Sequence, residues 1–177
     1  PLGVAYWERN EQKVMELADL RRASLRSLAP QWASQSWLEA GCGVGANLRP
    51  GDCGVDLAAH PRVDVIGDIR ALPFGANTYA VAFCVGVLMH LPDGEWQRGL
   101  SELCRVAQHV VIIGEYVEEN ERDMLWNPHT GHFDDGQRGL LWARPYPAPA
   151  GWQLTNTRRQ LLGFDPTVEF LVFRHEL

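Results

Sequence analysis

WLEAGCGVGANLRP, residues 37–50, sets glycines at positions 41, 43 and 45 directly behind a short apolar run that carries one acid, Glu39. Glycine has no Cβ, so a backbone built this way can turn sharply and approach a ligand closely. The stretch satisfies two patterns. Gly41, Gly43 and Ala46 spell G-x-G-x-x-A, the dinucleotide pattern, while Glu39, Gly41, Gly43 and Gly45 spell E-x-G-x-G-x-G. The ligand that the turn holds decides between them.

Outward from this turn, the chain alternates strand-like and helix-like segments. Residues 36–40 predict a strand ending at the glycines. Residues 46–49 predict a helix start that Pro50 and Gly51 stop early. Residues 53–57 and 63–69 predict the second and third strands, separated by a connection too short for an ordinary crossover helix. Residues 79–88, wholly apolar at their centre, have the composition of a strand buried on both faces of a parallel sheet. A helix capped by Asp93 is expected over 94–107, with Trp96, Leu100, Leu103 and Ala107 on one face, and a fifth strand over 110–116. Upstream, residues 11–28 place Val14, Leu17, Ala18, Leu25 and Leu28 at helical spacing behind Asn10. Downstream, 152–160 and 167–175 alternate apolar and polar residues around Gly163-Phe-Asp-Pro, the pattern of a closing antiparallel hairpin. The strand–helix–strand order defines an open, mostly parallel α/β sheet.

Charge discriminates the ligand. In a dinucleotide site the pyrophosphate rests beside the glycines at a helix N-terminus. A carboxylate at Glu39 would oppose that anion by about 1 to 4 kcal/mol at a separation of a few Å. A cationic ligand reverses the sign, and S-adenosylmethionine carries both a sulfonium and an ammonium. Asp56, ending the second strand, is placed to grip ribose hydroxyls; a dinucleotide enzyme also puts an acid there. Asp68 in VIGDIRALPF, residues 65–74, ends the third strand, where it would accept a hydrogen bond from an adenine amino group, with Ile69 beside the ring.

Composition excludes several functions. The 177 residues carry a formal charge of −6, with Arg21–Arg22 and Arg158–Arg159 as the longest basic runs, which argues against a nucleic-acid partner. The single lysine, Lys13, lies in a polar helical stretch, so neither a Walker phosphate loop nor a Schiff-base lysine is expected. Cys42, Cys53, Cys84 and Cys104 form no C-x-x-C pair and sit among apolar neighbours, the setting of reduced, buried thiols in a cytoplasmic protein. The apolar run 79–89 is too short to span a bilayer, and no signal peptide is expected.

From Ser36 to Tyr116 the chain resembles the class I S-adenosylmethionine-dependent methyltransferases. The resemblance is carried by LEAGCGVGA, by GVDL with Asp56 and Leu57, by GDIRALPF with Asp68 and Ile69, and by YAVAFCVGVLMHLPD. It implies a Rossmann-like, doubly wound sheet of seven strands, mostly parallel, with the cofactor across the carboxyl ends of the first four. It also implies that Val85 and Gly86 line the sulfonium end and that His90 lies near cofactor or substrate. Arg9, in YWERN, is a candidate for the cofactor's carboxylate, with Tyr6 and Trp7 covering the site. A narrower resemblance, carried by YWERN, HTGH and LLWARPY, is to bacterial and phage methyltransferases associated with pseudaminic acid biosynthesis; Thr130-Gly131-His132 stands where that group has arginine-glycine-histidine.

The chain is read as one methyltransferase domain: an N-terminal helix (11–29), a cofactor core (36–116), a substrate lid (117–151) and a closing hairpin (152–177). The lid has little periodic pattern but many prolines and aromatics, and offers Trp126, Phe133, Trp142 and Tyr146 as anchors. His129, His132, Asp134 and Arg144 are its polar contacts. No metal is expected, although His129, His132 and Asp134 have a usable spacing. His132 is the first candidate for a general base, with Tyr116, Glu115 and His90 as alternatives. The expected activity is methyl transfer to an oxygen or nitrogen of a small polar metabolite, a sugar-related biosynthetic intermediate being one candidate. Nucleic-acid or protein methylation and a non-catalytic binding module are the rivals. The polar-Pro-Pro-aromatic tetrad of amino-group methylation in nucleic acids is missing where GVLMHLPD stands.

Overall fold

The computed structural model describes residues 11–118, 122–127, 132–135 and 142–176, with the backbone path alone for 122–127 and 132–135. Residues 11–16 are helical, a turn interrupts at Leu17, and α1 (Ala18–Arg26) follows, so the expected continuous helix is two pieces. Asn10 lies outside the described residues.

The strands are β1 (Trp37–Ala40), β2 (Cys53–Asp56), β3 (Val65–Ile66), β4 (Tyr79–Val85) and β5 (Ala107–Glu115), with α2 (Glu95–Val106) between the last two. Then come β6 (Arg122–Asn127), β7 (His132–Asp135), β8 (Trp142–Ala143), β9 (Trp152–Arg159) and β10 (Glu169–His175). Seven of them form one sheet in the order β3-β2-β1-β4-β5-β10-β9. The first five run parallel, while β10 lies antiparallel to both β5 and β9. The expected fold is therefore the observed one.

All four residues of β1 are buried, as an interior parallel strand requires. One face packs Leu38, Ala82, Val111 and Ile113 against Trp96, Leu100 and Leu103 of α2. The other packs Trp37, Val81, Phe83, Val110 and Ile112 against Leu25 and Leu28. Helix α2 is capped at Gly94, whose φ of 81° suits glycine, and not by Asp93 as expected; Asp93 instead accepts from Gln97. It ends at Val106, because Ala107 already opens β5.

The expected helix start at 46–49 does not form. Residues 41–52 make successive turns, since four residues before Pro50 are too few to repay helix nucleation. Arginines of α1 pin this segment to the sheet instead. Arg22 donates to the carbonyls of Ala46 and Leu48 at 3.4 and 3.2 Å. Arg26 pairs with Asp52 and lies 3.6 Å above the Trp37 ring. Asp52 in turn accepts from the backbone N–H of Trp37 and of Arg49. The connection from β2 to β3 likewise holds no helix: β3 starts at Val65, so eight residues bridge the two strands, where the expected strand bounds left five.

The segment after β5, expected to be largely irregular, contains a small antiparallel sheet in the order β7-β6-β8. It is stapled to the end of β5, because the Arg144 N–H donates to the Tyr116 carbonyl at 3.3 Å and the Glu118 N–H to the Arg144 carbonyl.

Candidate functional site

Parallel strands aim their carboxyl ends at one rim, and the order 3-2-1-4-5 reverses direction between β1 and β4. Ligands of open α/β sheets bind at such a reversal. Gly41 and the segment after β4 meet there. A Cβ on Gly41, where φ is +75°, would fall 2.4 Å from Val87 Cγ2. A Cβ on Gly45 would fall 2.7 Å from Arg62. Both glycines are thus demanded twice, by backbone conformation and by space.

The glycine turn spends its own donors internally. The N–H groups of Gly41 and Cys42 bond the Val55 carbonyl, and that of Gly45 bonds the Cys42 carbonyl. The Gly43 N–H donates to Asp56 Oδ2 at 2.8 Å. Asp56 Oδ1 accepts from the Ala58 N–H at 3.0 Å, so this acid ties the turn to the end of β2. Leu57, next to it, is 70% exposed.

Glu39 lies enclosed in β1 behind the turn, 1% exposed. Its Oε1 accepts from Asn47 Nδ2 at 2.5 Å, while Oε2 is buried without a hydrogen-bond partner. Burial pushes this carboxyl up to about 8, against the opposing pull of the Asn47 bond and the Arg21 charge. Asp68 is held differently. Arg70 grips both its oxygens and also pairs with Glu95, which keeps the Asp68 carboxyl below its ordinary range. Ile69 is 7% exposed and belongs to the α2-side core. Val85 and Gly86 sit half-buried at the end of β4, and a Cβ on Gly86 would meet only Met89 Cε, at 3.7 Å.

Glu115, considered above as a base, has another position. Its carboxylate accepts from the N–H groups of Val87, Leu88 and Met89 at 2.9 to 3.1 Å, capping the 3-10 turn Leu88–His90. Burial raises it to about 7 and these three bonds oppose the rise. Tyr116 packs into the α1-side core, 7% exposed. His90 is exposed at the end of the 3-10 turn. Arg144, expected to meet substrate, is fully buried and donates to the Leu91 carbonyl at 3.1 Å, so it ties the inserted sheet to the loop after β4.

His132 opens β7 opposite Asn127. Arg9, Tyr6, Trp7 and His129 lie outside the described residues. Among the described residues no three metal-ligating side chains converge, and no helix is long and apolar enough to cross a membrane. Asn47, Arg21 and the capping role of Glu115 escape sequence reasoning. Their partners lie 8, 26 and 26 to 28 residues away, and no local pattern marks them.

The fold is that of the class I methyltransferases. Among solved structures, the chain is similar to a 1,6-didemethyltoxoflavin-N1-methyltransferase of Burkholderia thailandensis, with a TM-score of 0.67 and 15% identity, covering 97% of this chain and 85% of that one. That structure holds 1,6-didemethyltoxoflavin and S-adenosylhomocysteine. It is also similar to a magnesium protoporphyrin IX methyltransferase of Synechocystis bound to S-adenosylhomocysteine, with a TM-score of 0.58 and 18% identity over 99% of this chain and 95% of that one. A third, the [4+2]-cyclase SpnF, gives a TM-score of 0.60 and 15% identity over 92% and 81%. No protein-family model and no curated protein sequence matches the chain.

Proposed function

We propose that this protein is an S-adenosylmethionine-dependent methyltransferase acting on an oxygen or nitrogen of a small polar metabolite. One observation carries the reading: the glycine turn is built for a cation. The N–H groups of Gly41, Cys42, Gly43 and Gly45 are all bonded within the protein, and no helix follows whose N-terminus would receive a pyrophosphate. Behind the turn stands a carboxylate with one buried oxygen unpartnered. A buried acid in that condition favours a positively charged ligand over an anionic one.

The residues present fit the cofactor. Glu39 would face its positive end, Asp56 would take ribose hydroxyls on its remaining lone pairs, and Gly41 and Gly86 would leave room for close approach. Leu57, Asp68 and Ile69 are the candidates for the adenine end, Val85 for the sulfonium end, and Arg9 for the carboxylate. The bound cofactor supplies a methyl group already activated on sulfur and open to in-line displacement. Much of the protein's work is then proximity and orientation of the acceptor. His132, Tyr116 and His90 are the candidates for accepting a proton from the acceptor atom.

The toxoflavin and protoporphyrin enzymes act on small molecules, and the charge of −6 disfavours a nucleic acid. A sugar-related acceptor is supported by YWERN, HTGH and LLWARPY alone. Calorimetry with S-adenosylmethionine, S-adenosylhomocysteine and NAD tests the cofactor: binding of the first two and not the third is expected, and the reverse overturns the reading. Formation of S-adenosylhomocysteine from a metabolite extract separates an enzyme from a binding module.

A further inference from the structure

Helix α1 is linked to Glu39 through the side chain of Arg21. Arg21 Nε donates to Asn47 Oδ1 at 2.8 Å, and Asn47 Nδ2 donates to Glu39 Oε1. The direction of this chain is forced, because a guanidinium has donors and no acceptor. Asn47 must turn its oxygen to Arg21 and its amino group to Glu39. Oε1 of Glu39 is then confined to accepting, and any exchangeable proton or cation belongs on Oε2, the buried oxygen without a partner.

Arg21 is itself set from the far end of the chain. Its NH1 donates to the Gly163 carbonyl at 2.9 Å, and its guanidinium lies 4.0 Å above the Phe164 ring in the β9–β10 turn. Gly163 is required for this fit, since φ is +86° and a Cβ would fall 2.7 Å from Arg21 Cγ.

We propose that Arg21 is a positioning residue that acts through Asn47 to orient Glu39, committing Oε1 and presenting Oε2 to the cationic end of the ligand. The proposal rests on the cofactor reading above. Among the described residues, the other charged and titratable groups that act on Glu39 are Asp52 and Asp56, at the two ends of β2, with Cys42 and Cys84 nearby. Both aspartates disfavour its ionised form, so Arg21 is the cation on the opposite side of that balance.

The test is the titration of the Glu39 carboxyl carbon by NMR in the full chain, together with calorimetry against S-adenosylmethionine. Arg21→Met is expected to raise the Glu39 midpoint by about half a pH unit or more, and Arg21→Lys to restore part of the difference. Asn47→Ala, which keeps Arg21, is expected to raise the midpoint likewise and serves if Arg21→Met does not fold. Affinity for S-adenosylmethionine at neutral pH should fall about tenfold in Arg21→Met. A lowered melting temperature with an unmoved Glu39 midpoint in both variants overturns the role of Arg21. Absence of S-adenosylmethionine binding by the unaltered chain, with the midpoint shifts intact, overturns the cofactor reading instead.

Discussion

Glu39 is a side chain whose position in the sequence shows its importance but not its condition. Its place before the glycines was legible; its enclosure, its bond to Asn47 and its unpartnered oxygen were not. An acid raised from its ordinary 4.5 to about 8 holds its proton more tightly in the folded state than in the unfolded chain. Its contribution to stability is therefore complete below about pH 4.5 and is lost as pH rises through 8. Glu39→Gln removes this titration while keeping an acceptor for Asn47. Relative to the unaltered protein, the variant should gain about 4 kcal/mol between pH 5 and 8.5, since the folded and unfolded carboxyl differ in protonation over about three pH units and each is worth about 1.4 kcal/mol. Glu115 titrates in both proteins and cancels in the comparison. Thermal melts of the two unliganded chains across that range check it, and parallel curves would show that Glu39 stays ionised throughout.

At the scale of elements, the strands were legible and the connections were not. Apolar runs such as YAVAFCV mark buried strands directly, because both faces must be filled. The helix expected at Ala46–Arg49 was a local reading, and the structure replaces it with contacts to Arg22 and Arg26, more than 20 residues away. The glycine turn shows how such contacts constrain a loop. Gly51, with φ +89° and nothing within 4 Å of a Cβ, bears only the strain of a left-handed residue, so Gly51→Ala should cost about 1 to 2 kcal/mol. Gly41→Ala bears that strain and also drives its methyl against Val87. It should cost about 1 to 3 kcal/mol more. The excess is testable because it has one source: Val87→Ala should recover most of it in the double variant. Denaturant unfolding of the four proteins measures the coupling, and additive effects would mean that β1 and β4 do not meet at Gly41 in solution.

Over the whole molecule, the proposed function would divide the work between the sheet and the inserted segment. The glycines and acids proposed for the cofactor end the strands β1, β2 and β4 or follow β3 closely. The small sheet β7-β6-β8 is anchored where acceptor chemistry would occur, by backbone bonds from Arg144 and Glu118 beside β5 and by Arg144 to the loop after β4. The sequence marked this segment by its aromatics and prolines, yet it hid the sheet, whose strands of two to six residues carry too short a pattern to read. The arrangement predicts that altering the insert changes turnover more than cofactor affinity. His132 begins β7, in the pair with Asn127 that borders the β6–β7 connection, on an edge strand of the small sheet and not of the sheet that carries the glycine turn. His132→Ala should leave binding of S-adenosylmethionine within about twofold of the unaltered protein, since the backbone bonds that build the turn run to Val55, Cys42 and Asp56. If His132 accepts the acceptor's proton, turnover should fall on the order of 10²- to 10⁴-fold with the Michaelis constant little changed. If it only orients the acceptor, the Michaelis constant should rise instead. Kinetics at saturating cofactor, run on whichever metabolite gains a methyl group in an extract, separate these outcomes; unchanged constants would show that His132 takes no part in the reaction, and cofactor affinity falling in step with turnover would show that the insert and the sheet do not act separately.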